Sequence, residues 1–205
     1  MRFQHLSALL LGGLATASPL AVRQAAGSGS GSGVDAAAIL AIIPGSNSCA
    51  GAQFPDECRT AEQAAPFISK ACAELSKAEC AATIALMGYE SGIKVKHNLT
   101  PGVPGQGTAN MMSPAFVSEY ATELFGAAKV TGQSPVAVLA LVTPDEHNFG
   151  SAAWFLVKKC PDVRAALKTG SDAGWQAYNK CIGGDAATLP ARTEFWTRAK
   201  TALGV

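Results

Sequence analysis

The sequence predicts an all-α domain with one long glycine- and proline-rich loop and three disulfides. Three observations predict it. Helix-start signals recur along the chain: Thr60-Ala-Glu-Gln63 and Ser76-Lys-Ala-Glu79 are capping boxes, and Ser113-Pro114, Ser134-Pro135 and Thr143-Pro-Asp-Glu146 place a cap before a first-turn proline. No stretch sustains the two-residue alternation of a strand. Six cysteines, an even number, all follow an export-type leader, as disulfide-bonded cysteines of an oxidising compartment do.

In chain order, residues 1–17 read as a signal peptide. Arg2 and His5 precede the apolar run Leu6–Ala15, and Ala15-Thr16-Ala17 offers a small-x-small cleavage site. Residues 18–33 form a linker that ends in GSGSGSG. Residues 34–205 are the folding unit. Ala36–Ile43 suits a short docking helix. The first capping box starts a helix over 61–75. The second starts one over 77–91, closed by a left-handed cap at Gly92. The Ser113 helix ends near Gly126, and further helices begin at Ser134, Thr143, Ser171 and Leu189. Gly170, Gly183 and Gly204 mark helix ends. Between residues 92 and 112 the chain is a loop, since two prolines and three glycines in NLTPGVPGQGTANMM (98–112) forbid a helix, though they allow a small hairpin. Six cysteines allow fifteen pairings. Short separations favour Cys49–Cys58, Cys72–Cys80 and Cys160–Cys181.

Composition excludes several functions. Hydrophobic residues make up 48% and charged residues 15%, which is not a disordered chain. The net charge is +1, and becomes −1 without Arg2 and Arg23. With no basic stripe, neither nucleic acid nor an anionic membrane is an expected partner. The cysteines lack a C-x-x-C pair, and His97 and His147 read as loop and cap residues, so no metal is expected. The expected protein is secreted, extracellular and monomeric.

Chemistry centres on Glu90. Cys80, Ile84, Met87 and Ser91 share the buried face of their helix, and Glu90 lies at its margin in the last turn. The negative helix end and an apolar neighbourhood both favour the protonated carboxyl. Tyr89-Glu90-Ser91, then Gly107-Thr-Ala-Asn110-Met111-Met112 before Ser113-Pro114, then Asn148-Phe-Gly150 leading to Trp154-Phe-Leu156, then Ala177-Tyr178-Asn179 near Gly183 follow one order. In that order they resemble the goose-type lysozyme and lytic transglycosylase superfamily, over roughly residues 76–185. Met112 stands where that family usually carries glutamine, and Cys181-Ile182 displaces its last glycine.

The resemblance implies a lysozyme-like muramidase that cleaves β-1,4 bonds of peptidoglycan, with Glu90 as general acid and no cofactor. Hydrolysis and transglycosylation stay open, as does a chitin-oligomer substrate. Asp145 and Glu146 are candidates for a second carboxylate, or simply acids at a helix start. Tyr89, Ser91, Gln106, Thr108, Asn110, Met111, Tyr120, Tyr178 and Asn179 are the expected substrate contacts. Trp154, Trp175 and Trp196 read as core. Asn98-Leu99-Thr100 is a glycosylation sequon. The alternatives are a non-catalytic binding protein on the same scaffold and a helical lipid carrier.

Overall fold

The computed structural model describes residues 33–98 and 102–205. The leader, nearly all of the linker, and Leu99 and Thr100 of the sequon lie outside the described residues. Among the described residues there are ten α-helices and no strand. They are α1 (Ala36–Ile42), α2 (Ala61–Ala71), α3 (Lys77–Glu90), α4 (Pro114–Phe125), α5 (Ala127–Val130), α6 (Pro135–Val142), α7 (Asp145–Lys159), α8 (Arg164–Leu167), α9 (Asp172–Cys181) and α10 (Leu189–Leu203). The all-α fold class is as expected. None of these helices is long and apolar enough to cross a membrane.

Helix α3 is the hub. Every residue from Ala78 to Gly88 is buried, and all but Glu79 and Thr83 are apolar, as suits a core helix. Its small residues set the packing distances. A Cβ on Gly88 would stand 2.5 Å from the Phe195 ring of α10 and 3.0 Å from Ile43. Glycine therefore lets α10 settle directly on α3. Helices α1, α7 and α8 also contact α3, α2 lies on α1 and α7, and α4 packs on α6.

Capping follows the reading at Thr60, Ser76 and Ser134, whereas Ser113 makes no side-chain cap bond and Thr143 closes α6, leaving Pro144 at the N-cap of α7. Thr60 and Ser76 both form reciprocal boxes, with Gln63 and Glu79 respectively. The Glu79 carboxylate is fully buried and also accepts from Arg164 Nε at 2.6 Å. Burial alone would raise its pKa, but the bonds from Arg164 and Ser76 outweigh it and hold the carboxyl below its ordinary range.

The three disulfides are Cys49–Cys58, Cys72–Cys80 and Cys160–Cys181. The first closes the loop before α2. The second joins α2 to α3 and falls where α2 stops, at Ala71 rather than at 75. The third ties the end of α7 to the end of α9.

Among the described residues of the 98–112 loop there are no hairpin strands. Its pairing reduces to single bridges from Gly107 to His97 and to Met112. Gly107 is needed there, since a Cβ would lie 2.3 Å from the Lys96 carbonyl oxygen. Trp175 and Trp196 are buried and stacked, with ring centroids 5.3 Å apart. Trp154 differs from the core expectation. It is half-buried, tilts on Tyr120 and donates Nε1–H to Glu123 at 2.9 Å.

Candidate functional site

Glu90 ends α3 at the bottom of a cleft of about 280 Å³. One wall is the loop segment from Gln106 through Met111, Met112 and Ser113. Phe116 of α4 and Phe155 of α7 form an apolar side with Leu86, and Ile182, Gly183 and Arg192 close the other. Glu90 and Arg192 are the charged groups among the lining residues.

They are paired. Arg192 Nη2 lies 2.6 Å from Glu90 Oε1, with the side chains 10% and 20% exposed. Burial pushes the Glu90 carboxyl above its ordinary range, and the Arg192 guanidinium only partly offsets this. Arg192 is itself fixed. Its guanidinium stacks on the Tyr89 ring at 4.2 Å, and its Nε donates to Thr188 Oγ1 at 3.1 Å. Its Nη1 is buried without a partner, as are Tyr178 Oη and Asn179 Oδ1. Burial and the nearby Glu90 charge keep the Tyr178 phenol protonated, against the pull of Arg192.

The loop wall is built under strain. Thr108 and Met111 adopt positive φ, 66° and 52°, a conformation that costs L-residues on the order of 1–3 kcal/mol. Local bonds hold them there. Thr108 N–H donates to the Lys96 carbonyl at 2.9 Å and Met111 N–H to the Thr108 carbonyl at 3.0 Å. Asn110 Oδ1 accepts from Thr108 Oγ1 at 3.0 Å and from Ser151 Oγ at 2.6 Å. Ser91 joins α3 to this loop by donating to the Ala109 carbonyl at 2.8 Å.

The structure brings together part of the expected set. Glu90, Gln106, Asn110 and Met111 line the cleft. Tyr89 acts one step back, under Arg192. Thr108 and Ser91 shape the wall. Gln106 spends its amide on the loop, donating to the Met111 carbonyl and accepting from Asn98. Tyr178 and Asn179 are buried behind the cleft. Tyr120 is buried against Trp154, with its hydroxyl donating to the His147 carbonyl at 3.0 Å.

Neither second-carboxylate candidate lines the cleft. Asp145 accepts from Arg59 Nε and from the buried Lys96 Nζ, both at 2.6 Å. Burial alone would raise its pKa, but these bonds hold it below the ordinary range. Glu146 is exposed and pairs with Lys70 at 2.9 Å. Sequence reasoning missed Arg192. It sits one turn into α10, after a proline, where a surface arginine would look the same.

No family model and no solved structure matches the chain. A bifunctional dioxygenase (DOX)-epoxy alcohol synthase (EAS) of Fusarium oxysporum (strain Fo5176) is 43% identical over 159 residues. The match covers 70% of this chain and spans 12% of that relative's length. It corrects the functional expectation. The relative is named for oxidation and rearrangement, not for glycoside hydrolysis, so the muramidase assignment falls, with its peptidoglycan or chitin-oligomer cleavage and its hydrolase and transglycosylase classes. Physically, the carboxyl, aromatic and asparagine motifs that carried it are short, and a helix ending in a carboxyl at any cleft would satisfy them.

The relative's name raises the question of an oxygen-activating metal. The donor set described here does not fit one. No three His, Cys, Asp or Glu side chains cluster among the described residues. All six cysteines are in disulfides, His97 Nδ1 bonds Glu57, and His147 packs edge-on against Phe125.

Proposed function

We propose that this chain is a small-molecule-binding domain of an oxygenating system, and that its cleft takes an oxygenated organic ligand of the epoxy alcohol class named for the relative. The observation that carries this reading is the Glu90–Arg192 pair in a mixed cleft, with the side chains of Leu86, Phe116, Phe155 and Ile182 beside it. Binding pockets for small organic molecules combine fixed polar groups with apolar and aromatic side chains. A carboxyl inclined to hold its proton donates to an ether, epoxide or hydroxyl oxygen. The guanidinium donates to a second oxygen. Leu86, Met111, Met112, Phe116, Phe155 and Ile182 cover the hydrocarbon part. The donor set supports a non-redox role within such a system. Three disulfides support work in an oxidising compartment, and we propose that the domain is secreted.

The test is a titration of 15N-labelled domain with 2,3-epoxyhexan-1-ol, followed by amide shifts. Saturable shifts at Met111, Met112, Gly183 and the end of α3, weakened in Glu90→Gln, are expected. Shifts absent from these positions would overturn the reading. So would saturation by a neutral chitotriose probe with none by the epoxy alcohol.

A further inference from the structure

We infer that Arg192 anchors a carboxylate-binding subsite, so that the cleft takes an organic acid with an apolar body and releases Glu90 as it does so. This deepens the proposed function and rests on the same cleft. Four observations carry it. Arg192 is a residue only 8% exposed, in the wall of an open cleft. One of its two terminal nitrogens, Nη1, has no partner, whereas Nη2 is held by Glu90. Thr188 and the Tyr89 ring fix the plane of the guanidinium without neutralising it. Gly184 lies beside its Nε, where even a Cβ would keep 3.6 Å away, so nothing there displaces it.

A buried cation needs an anion beside it. Within the cleft Glu90 is the group that can supply one. The groups facing the pair are Tyr89 from α3 and Tyr178 from α9, and burial keeps the Tyr178 phenol protonated. The loop wall contributes amides, thioethers and a hydroxyl. The cleft therefore balances its charge in two ways. Either Glu90 is ionised and paired with Arg192, or Glu90 carries a proton and an external anion takes the guanidinium. With Nη1 buried and Nε held by Thr188, the anion takes over Nη2 from Glu90, and a carboxylate brings to it the negative charge that an alcohol cannot. The second state binds one anion and one proton together. Burial raises the Glu90 carboxyl above its ordinary range, which lowers the cost of that state. Leu86, Phe116, Phe155 and Ile182 then give a hydrocarbon body contacts that a small inorganic anion lacks.

Calorimetric titration with octanoate, with 1-octanol as its neutral twin, tests the inference. The measurements run from pH 5.5 to 8 in bis-Tris and imidazole buffers, whose different ionisation enthalpies count protons. Octanoate is expected to bind about 10- to 100-fold more tightly than octanol at pH 6, the range of one charged hydrogen-bond pair. Its binding should take up protons, and its affinity should fall as pH rises. Arg192→Gln should abolish the preference for octanoate. Glu90→Gln, which removes the competing charge and keeps the shape, should bind octanoate more tightly and without pH dependence. Equal affinity for octanoate and octanol overturns the inference. So does octanoate affinity that is the same at pH 5.5 and 8 in the unaltered protein, or that is lost in Glu90→Gln. Should the epoxy alcohol bind while octanoate does not, the carboxylate subsite falls and the cleft reading stands. If neither binds, both fall.

Discussion

Replacing Arg192 by glutamine removes the cation that faces Glu90 and keeps much of the side chain's length. Two interactions are lost and one is kept. A charge-assisted hydrogen bond to Glu90 at 2.6 Å is lost, and such bonds contribute about 1.5–3 kcal/mol. Stacking on the Tyr89 ring at 4.2 Å is lost, at about 0.5–1 kcal/mol. The glutamine can still reach Thr188. The expected loss near neutral pH is therefore about 2–4 kcal/mol, or about 4–16 °C in Tm for a domain of this size.

The sign of the pH dependence follows from Glu90. Its folded pKa is already raised, and without Arg192 burial acts on it unopposed. The deficit of Arg192→Gln should therefore be largest at pH 7.5 and shrink on acidification, as Glu90 takes up its proton. Glu90→Gln should behave in the opposite sense. The neutral amide still accepts from Nη2, and the cost of burying a carboxylate disappears. Wild-type stability owed to Glu90 is complete below the unfolded pKa, about 4.3, and is lost as pH rises through the higher folded pKa. Glu90→Gln should match wild type at pH 4 and equal or exceed it at pH 7.5. Urea unfolding of the three proteins at pH 4, 5.5 and 7.5 is the assay. An Arg192→Gln deficit of the same size at all three values, or a Glu90→Gln loss as large as that of Arg192→Gln, would refute the charge argument.

Gly88→Ala should cost about 1–3 kcal/mol by overpacking α10, and Phe195→Leu in the same chain should recover part of it in thermal melts. Asp145→Asn leaves the buried Lys96 and Arg59 without their carboxylate, and an unfolding loss of about 3–5 kcal/mol is expected at pH 7. Because the Asp145 pKa is depressed, that wild-type advantage is present above about pH 4 and is lost as pH falls through the folded pKa, so the two proteins should converge in acid. Cys160→Ser with Cys181→Ser should cost about 3 kcal/mol for a loop of this length, read from the urea midpoint.

The helices were legible because their starts are local chemistry. Thr60, Ser76 and Ser134 bond to backbone within three residues, and the sequence displays both partners. Short cysteine separations were enough to pair the bridges. Glu90 and the wall from Gln106 to Met111 were legible as a helix end followed by a loop that cannot be helical. The rest was not, because it depends on groups distant in sequence. Arg192 reaches Glu90 from 102 residues away, across the α3–α10 seam. Lys96 and Arg59 claim Asp145 from separate loops, so an acid that looks free at a helix start is fully engaged. Tyr120 and Tyr178 carry the residue types a binding surface wants, yet packing turns both inward. The hydrolase reading failed for a related reason: a carboxyl at a helix end specifies a proton-transfer group and leaves its use undefined.

The stacked indoles of Trp175 and Trp196 give the molecule an optical gauge. They sit on α9 and α10, with planes 7° apart, and these helices lead into Gly183 and carry Arg192. Indole absorption dipoles this close couple strongly, and the coupling changes steeply with their separation and tilt. Trp154, half-exposed on α7, stands apart from the pair and emits as a wetter fluorophore. A shift in the near-ultraviolet dichroism of the coupled pair therefore registers movement of the Arg192 wall, while the Trp154 emission serves as an internal reference in the same cuvette.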